Sequence, residues 1–385
     1  MDFQDGNDPI IEEGTEGEEE YKDEGYDGRE LEENLQNMHS VGSADQMIQE
    51  YSWSKVTPQG YRLTPRGGHS AVVADYQLIV FGGTSYDGGG KFSYLNDTCV
   101  LDVETMTWQL VRCGGNLPAP RYGHACELVG SRMFVLGGKG KGNGEGGGGC
   151  FRDVHALDLV DWVWVPINAT STGPSPRFNA ASAAVGRKIV VHGGWDGEAA
   201  CLGDLWVFDT DSFAWVQPRV GGLPPSPRYG HTLTLLPDGR LLALGGAAVP
   251  APGAGAVAPQ YLEDLRQLDT ETMAWSKPAR AGEKLSGRFG HTTTLLDSSA
   301  LFIFGGWGLG GLQEKATNNR DGAHSVCAIG IEGNEARYAV PALRSRKAPE
   351  HRYGQTCTRV GSMLLVFGGW NGQQALSDLI AIETQ

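Results

Sequence analysis

Beyond residue 50 the chain alternates short apolar runs with pairs of glycines, and the pattern returns at nearly even intervals. Its clearest copy runs from Arg121 to Trp164. Pro-Arg-Tyr-Gly-His opens it, an apolar run leads to Gly137-Gly138, and a glycine-rich loop follows. Alternating residues then resume at Asp153 and continue through Leu157-Asp158 to Trp164. Short alternating runs bounded by turn residues predict strands. Here they predict four: His124 to Val129, Met133 to Leu136, Val154 to Leu157 and Trp162 to Val165. Gly130-Ser131 predicts a tight hairpin between the first two, as do Gly186-Arg187 and Pro237-Asp238-Gly239 in other copies.

The copies open at Arg66, Arg121, Arg177, Arg228, Arg288 and Arg352, and their double glycines are spaced 52 to 63 residues apart. A closing aromatic recurs at Trp53, Trp108, Trp164, Trp215, Trp275 and, more weakly, Tyr338. In four copies six residues separate an Asp from that Trp, as from Asp209 to Trp215. A period near fifty with a Gly-Gly mark predicts four-stranded propeller blades. The last copy stops three strands in, at Ser377 to Gln385, while a lone strand, Tyr51 to Val56, precedes the first. The expected fold is therefore all-β: a six-bladed propeller closed by an N-terminal strand that completes the last blade and removes its open edges. The blades span 66–108, 121–164, 177–215, 228–275, 288–338 and 352–385 plus 51–56. Two copies depart from the pattern. The third has Arg177-Phe-Asn-Ala180 where others have Arg-Tyr-Gly-His, and in the fifth Cys327 is expected at the place of the Asp that opens the third strand.

With its Gly-Gly pairs, spaced aromatics and Gly-Gly-Trp-Asp-Gly at 193–197, the chain resembles the kelch-repeat family over residues 51–385. The resemblance implies a kelch-type propeller but not one activity, since the fold hosts many. Many kelch-like proteins deliver substrates to ubiquitin ligases through an attached adaptor, and the segment before the repeats is too short for a BTB domain. A scaffold, a small-GTPase effector or a subunit of a large cytoskeletal or ciliary assembly fits better, with a ubiquitin-ligase substrate receptor as an alternative. Some kelch-like enzymes carry an iron-binding Glu-x-x-x-Asp-x-x-x-His, but none of the nine histidines here has that spacing. No ligand set supports a copper site of the galactose oxidase kind or a sialic acid mutarotase. The expectation is a non-catalytic protein with no cofactor or metal; an enzyme or small-molecule binder using the channel is the rival.

Charge separates a tail from the repeats. Residues 1–50 hold 17 of the 46 acidic residues against Lys22 and Arg29, leaving 29 acids balanced by 29 bases in the rest. Such a composition predicts disorder, with a short helix over 29–39 whose Leu31, Leu35 and Met38 share one face for docking. An acidic tail argues against nucleic acid and anionic membranes as partners. No run approaches the ~20 apolar residues of a membrane span, and the amino terminus is no secretory signal. Seven cysteines without a C-x-x-C pair suggest reduced thiols and a cytoplasmic protein, with the cytoskeleton or a cilium as its setting.

Parity of the four strands places the connection after the second strand and the one between blades on the same face. That face carries the long loops 84–94, 139–151, 247–260 and 307–320, and variable loops on a rigid frame are where binding resides. The six opening arginines should ring the channel mouth there. They suit two roles: a cationic collar for an acidic peptide or terminal carboxylate, or, the favoured reading, structural pairs with Asp97, Asp153, Asp204, Asp264 and Asp378. Arg288, facing the blade without that Asp, is the candidate unpaired charge. Trp195, Trp307 and Trp370 follow double glycines at the loop bases and are candidate partner anchors or packing groups. His69, His124, His231 and His291 share one repeat position and read as structural rather than metal-binding, and His192 as a hydrogen-bonded core residue. Gly142 to Gly147 matches G-x-G-x-x-G but opens no helix, so it reads as a loop.

Overall fold

The computed structural model describes residues 48–141, 149–198, 201–249, 259–283, 285–308, 326–346 and 348–385. The acidic segment with Leu31, Leu35 and Met38, the helix expected over 29–39 and the loop Gly142 to Gly147 lie outside them. Regular structure among the described residues is entirely β, and no helix there is long and apolar enough to cross a membrane. In the second blade the antiparallel strands are Ala125–Val129, Arg132–Leu136, Val154–Asp158 and Val163–Ile167. Five further sheets repeat that order around the axis. The last is completed by Glu50–Val56, which pairs antiparallel with Leu379–Thr384 and sets Trp53 opposite Ile382. Both ends of the repeat region thus share one blade, and the circle has no open seam.

Because each blade is buried on both faces, its second strand is a continuous apolar run, such as Arg132–Leu136 with only Arg132 exposed. The core is divided into six apolar clusters, one at each seam between neighbouring blades. The closing aromatic of one blade packs on the residue before the double glycine of the previous one. Trp164 lies 4.7 Å from Phe81, Trp108 5.2 Å from Phe367, and Trp275 5.4 Å from His192. An aromatic buried in this way contributes about 2–3 kcal/mol. The recurrent six-residue spacing also has a local cause. Asp102 accepts a hydrogen bond from the Thr105 amide at 2.8 Å, and Met106 takes a left-handed φ of 48°, which returns the chain so that Trp108 faces Leu101.

Blade five corrects the sequence reading at Cys327. Its third strand, Val326–Glu332, is seven residues long and turns back through only Gly333-Asn334, with Glu332 opposite Glu335. Val326 pairs with Phe304 as Val154 pairs with Leu136 and Leu265 with Leu244. The position matching Asp153 and Asp264 is therefore 325, outside the described residues, and Cys327 is two places farther into the strand. It is a core residue, its thiol pushed up to about 11 by burial. Tyr338, opposite Ile329, does occupy the Trp position.

The sequence reading missed a fifth strand. In five blades the linker entering the blade pairs in parallel with the fourth strand, through Gln59–Gly60, Gly114–Gly115, Gly221–Gly222, Ala279–Gly282 and Ala342–Leu343. These segments cover outer edges that would otherwise offer unpaired backbone. A Cβ on Gly222 would fall 1.9 Å from the Trp275 carbonyl oxygen, so the close approach requires glycine. The third blade has only four strands, the outermost being Trp215–Val216.

Candidate functional site

Each opening arginine lies just before the innermost strand, and five of them meet the aspartate that opens the third. Arg121 donates to Asp153 at 2.6 and 2.8 Å, to the Gly137 carbonyl at 2.9 Å and to the Ala119 carbonyl at 3.0 Å. Arg66 with Asp97, Arg177 with Asp204, Arg228 with Asp264 and Arg352 with Asp378 repeat the two-pronged pair. Burial alone would raise the Asp204 carboxyl, but the hydrogen bonds and charge of Arg177 outweigh it and hold the group below the usual range. Arg228 does the same to Asp264.

The collar reading is corrected accordingly: these guanidinium groups are buried among carboxylates and carbonyls and do not line an open mouth. Arg288 is buried as well, donating to Gly305 and Ser286 carbonyls and to the Ser286 hydroxyl, so it is not an exposed charge. The same arginines position the double glycines. The second glycine's amide donates to the arginine carbonyl of the next blade, from Gly83 to Arg121 through to Gly369 to Arg66, at 2.8–2.9 Å around the circle.

At the axis six residues with left-handed φ form a closed circuit of backbone hydrogen bonds. Gly123 donates to Gly68, Asn179 to Gly123, Gly230 to Asn179, Gly290 to Gly230, Gly354 to Gly290 and Gly68 to Gly354. Asn179, the departure in the third copy, keeps the left-handed turn with φ 52° and therefore the circuit.

Around this circuit a group from each blade covers the next. Tyr94 lies 6.0 Å from Tyr122, Trp195 5.4 Å from Tyr229, Tyr261 5.8 Å from Phe289 and Trp307 5.3 Å from Tyr353. Lys139 stands over Phe178 at 5.0 Å. At the sixth junction Trp370 covers Gly67, where a Cβ would lie 2.4 Å from the indole. The three candidate tryptophans are thus clasps between blades and remain partly exposed.

The repeated histidines are buried, and each ties its innermost strand to the preceding blade. Nε2 of His124 lies 2.8 Å from Ser70 Oγ, that of His69 3.1 Å from Thr356 Oγ1, and that of His231 2.9 Å from His192 Nδ1. Burial, aided by nearby arginines, pushes His124, His192 and His291 down to about 3, so they are neutral. Among the described residues no group of His, Cys, Asp and Glu is placed to hold a metal ion.

One exposed feature of the loop-bearing face was not singled out from sequence. The second and third strands of blade one, Gln77–Tyr86 and Phe92–Asp102, continue past Gly82-Gly83 as a hairpin. Tyr86 and Phe92 stack at its end, 4.7 Å apart, and Phe92 is 60% exposed. The Ala375 amide of blade six donates to the Tyr86 carbonyl at 3.0 Å and fixes the hairpin's base. Both rings lie in the loop 84–94 that sequence placed on the binding face, but nothing in the sequence marked them as a stacked pair at the end of a hairpin.

Comparison with known proteins agrees with this architecture. The chain is 26% identical over 383 residues to acyl-CoA-binding domain-containing protein 4 of Arabidopsis thaliana, covering 95% of this chain and 52% of that protein. It is 27% identical over 374 residues to host cell factor of Drosophila melanogaster, covering 88% of this chain and 23% of that one. Rab9 effector protein with kelch motifs of Mus musculus is 33% identical over 214 residues, about half of each chain. The chain thus spans about half or less of the curated relatives it matches. The KLHDC2/KLHL20/DRC7 Kelch-repeats domain matches residues 33–246, 142–306 and 255–385, and with six closed blades the chain belongs to that kelch-repeat family.

Proposed function

We propose that this chain is a non-catalytic interaction platform that binds protein partners through its loop-bearing face. The observation that carries the reading is the stacked Tyr86 and Phe92 at the end of the blade-one hairpin. A large apolar ring held in water by a braced hairpin costs solvation without filling a core, and aromatic residues in such places anchor interfaces. The partly exposed Trp195, Trp307 and Trp370 would extend the contact around the mouth, while the buried arginines serve as its frame. Two relatives carry names in keeping with protein partners, host cell factor and the Rab9 effector. Segment 1–50, with its excess of acids, would be a second contact for basic surfaces. The seven unpaired thiols support a reducing, cytoplasmic setting, in which a cytoskeletal or ciliary assembly is one home for such a platform.

The test is crosslinking mass spectrometry in native extract to identify partners, followed by affinity measurement with purified protein. Phe92→Ala should weaken binding at least tenfold while leaving the melting temperature within about 1 °C, because little burial is lost. Val160→Ala, a 75% exposed residue in a turn on the opposite face, should change neither. Equal affinity of the wild type and the Phe92 and Tyr86 variants for every partner would refute the reading.

A further inference from the structure

The seam between blades two and three differs from the other five at three radii. At four seams a histidine reaches from one innermost strand to the previous blade, and at the seam of blades five and six Gln355 donates instead to the Phe304 carbonyl at 2.9 Å. Ala180 occupies this place in blade three and can make no such bond. Its work is done from the other side by Glu127, on Ala125–Val129. The carboxylate accepts from the Ser182 hydroxyl at 2.6 Å and from the Ala184 amide at 3.2 Å. Glu127 is the only carboxylate on the six innermost strands. At the mouth the clasp is Lys139 rather than an aromatic ring or indole.

At the rim, blade three lacks the parallel fifth strand. The Ser171 hydroxyl stands in, accepting from the Trp215 amide at 2.7 Å and donating to its carbonyl at 2.8 Å. A cleft of about 720 Å³ opens beside it between Phe151 and Pro174, floored by Ile167 and Trp215. The apolar layer between these ends is continuous, with Phe134 6.2 Å from Phe208. Backbone bonds cross this seam as they do the others, from Gly138 to Arg177 at 2.9 Å and from Asn179 to Gly123 at 2.6 Å. The side-chain tie between its innermost strands, however, is one ionisable group where four seams have a neutral histidine and one a glutamine.

We propose that the seam of blades two and three is a pH-responsive joint, with Glu127 as its latch. Burial raises the Glu127 carboxyl to about 7, against the hydrogen bonds of Ser182 and Ala184. The group beside it is the Cys126 thiol on its own strand, likewise pushed up by burial. The innermost strands on either side, Ser70–Ala74 and Ala181–Val185, carry no charged residue, while Arg132–Leu136 carries Arg132 and Lys188–Trp195 carries Lys188 and His192. Dehydration is what opposes the ionisation of Glu127. The folded group binds its proton more tightly than the unfolded one. The latch is therefore strongest below the unfolded value near 4.5 and weakens as pH rises toward 7.

The Ala184 amide, bonded to the latch, reports its opening. Hydrogen exchange of the full chain, read at single residues by mass spectrometry and corrected for intrinsic rates, would be compared at pH 5.5 and 8. The expected opening constant at Ala184 rises roughly tenfold or more, while the matching amides of Val73, Leu128, Leu235, Leu295 and Arg359 change little. Glu127→Gln keeps an acceptor but cannot ionise, and should abolish the dependence. A corrected rate at Ala184 no more sensitive to pH than its five counterparts would overturn the proposal in the wild type alone. Persistence of the sensitivity in E127Q would overturn the assignment of the latch.

Discussion

Removing a single aspartate from the arginine pairs separates a structural frame from a ligand collar. Arg352 is fully buried and holds four acceptors: Asp378 twice, at 2.7 and 3.0 Å, and the carbonyls of Gly368 and Glu350, each at 3.1 Å. Asp378→Ala deletes the two charge-assisted bonds and leaves the guanidinium charge without its counterion in the protein interior. Breaking one partner of a buried pair costs about 3–5 kcal/mol, and the two surviving carbonyl bonds put this site near the lower end, about 3 kcal/mol. Asp153 is 40% exposed against 19% for Asp378, so water screens its charge more and relieves Arg121 more readily. Asp153→Ala should cost about 2 kcal/mol.

Urea unfolding followed by tryptophan fluorescence would measure both, and a cycle with Arg352→Met should show strong coupling, since the second loss removes the stranded charge. A cost below about 0.5 kcal/mol at Asp378 would mean that Arg352 is solvated, contradicting its burial and restoring the collar. A larger loss at Asp153 than at Asp378 would refute the screening argument.

Two further outcomes follow from the geometry. Gly222→Ala should destabilise by about 2 kcal/mol or more in the same assay, from a left-handed alanine plus a clash with the Trp275 carbonyl. Gly130→Ala, left-handed but with open space around its Cβ, should cost only about 1 kcal/mol. The neutral histidines predict acid lability. With folded values near 3 at His124, His192 and His291 against about 6.5 unfolded, their stability is complete above pH 6.5 and is lost as pH falls toward 3. Melting temperature should drop steeply between pH 6.5 and 4.5, and a flat profile over that range would contradict neutral burial.

Glycine spacing made the blade count legible because it has one mechanical cause, the amide of each second glycine bonding the next blade's arginine carbonyl. The closing strand was legible for a similar reason: Trp53 repeats a pattern whose partner strands lie at the far end of the chain. Pairing of arginine with aspartate followed from both residues recurring at fixed places in strands of known parity. What stayed hidden depends on pairs without a period. Two-residue parallel segments such as Gly114–Gly115 are too short to alternate, and Trp370 over Gly67 joins residues of the last and first copies. Cys327 was misplaced because counting back from Glu332 assumed the four-residue turn that Asp102 caps, whereas blade five turns through two residues and lengthens the strand instead. Glu127 carried no motif, and its role depends on the absence of a histidine at Ala180 in the neighbouring copy.

Internal pairing of the arginines also determines what the loop-bearing face can select. Six solvated guanidinium groups around one mouth would create a potential attracting any polyanion, including segments as acidic as residues 1–50 of another copy. Paired with aspartates and carbonyls, they leave a frame with little net charge, fixed by hydrogen bonds at every seam. On the proposed reading, discrimination would fall to shape and to the aromatic groups carried above the double glycines, which differ from blade to blade. Because that frame is already ordered, the frame itself would add little to the entropic cost of association with a partner bound as proposed.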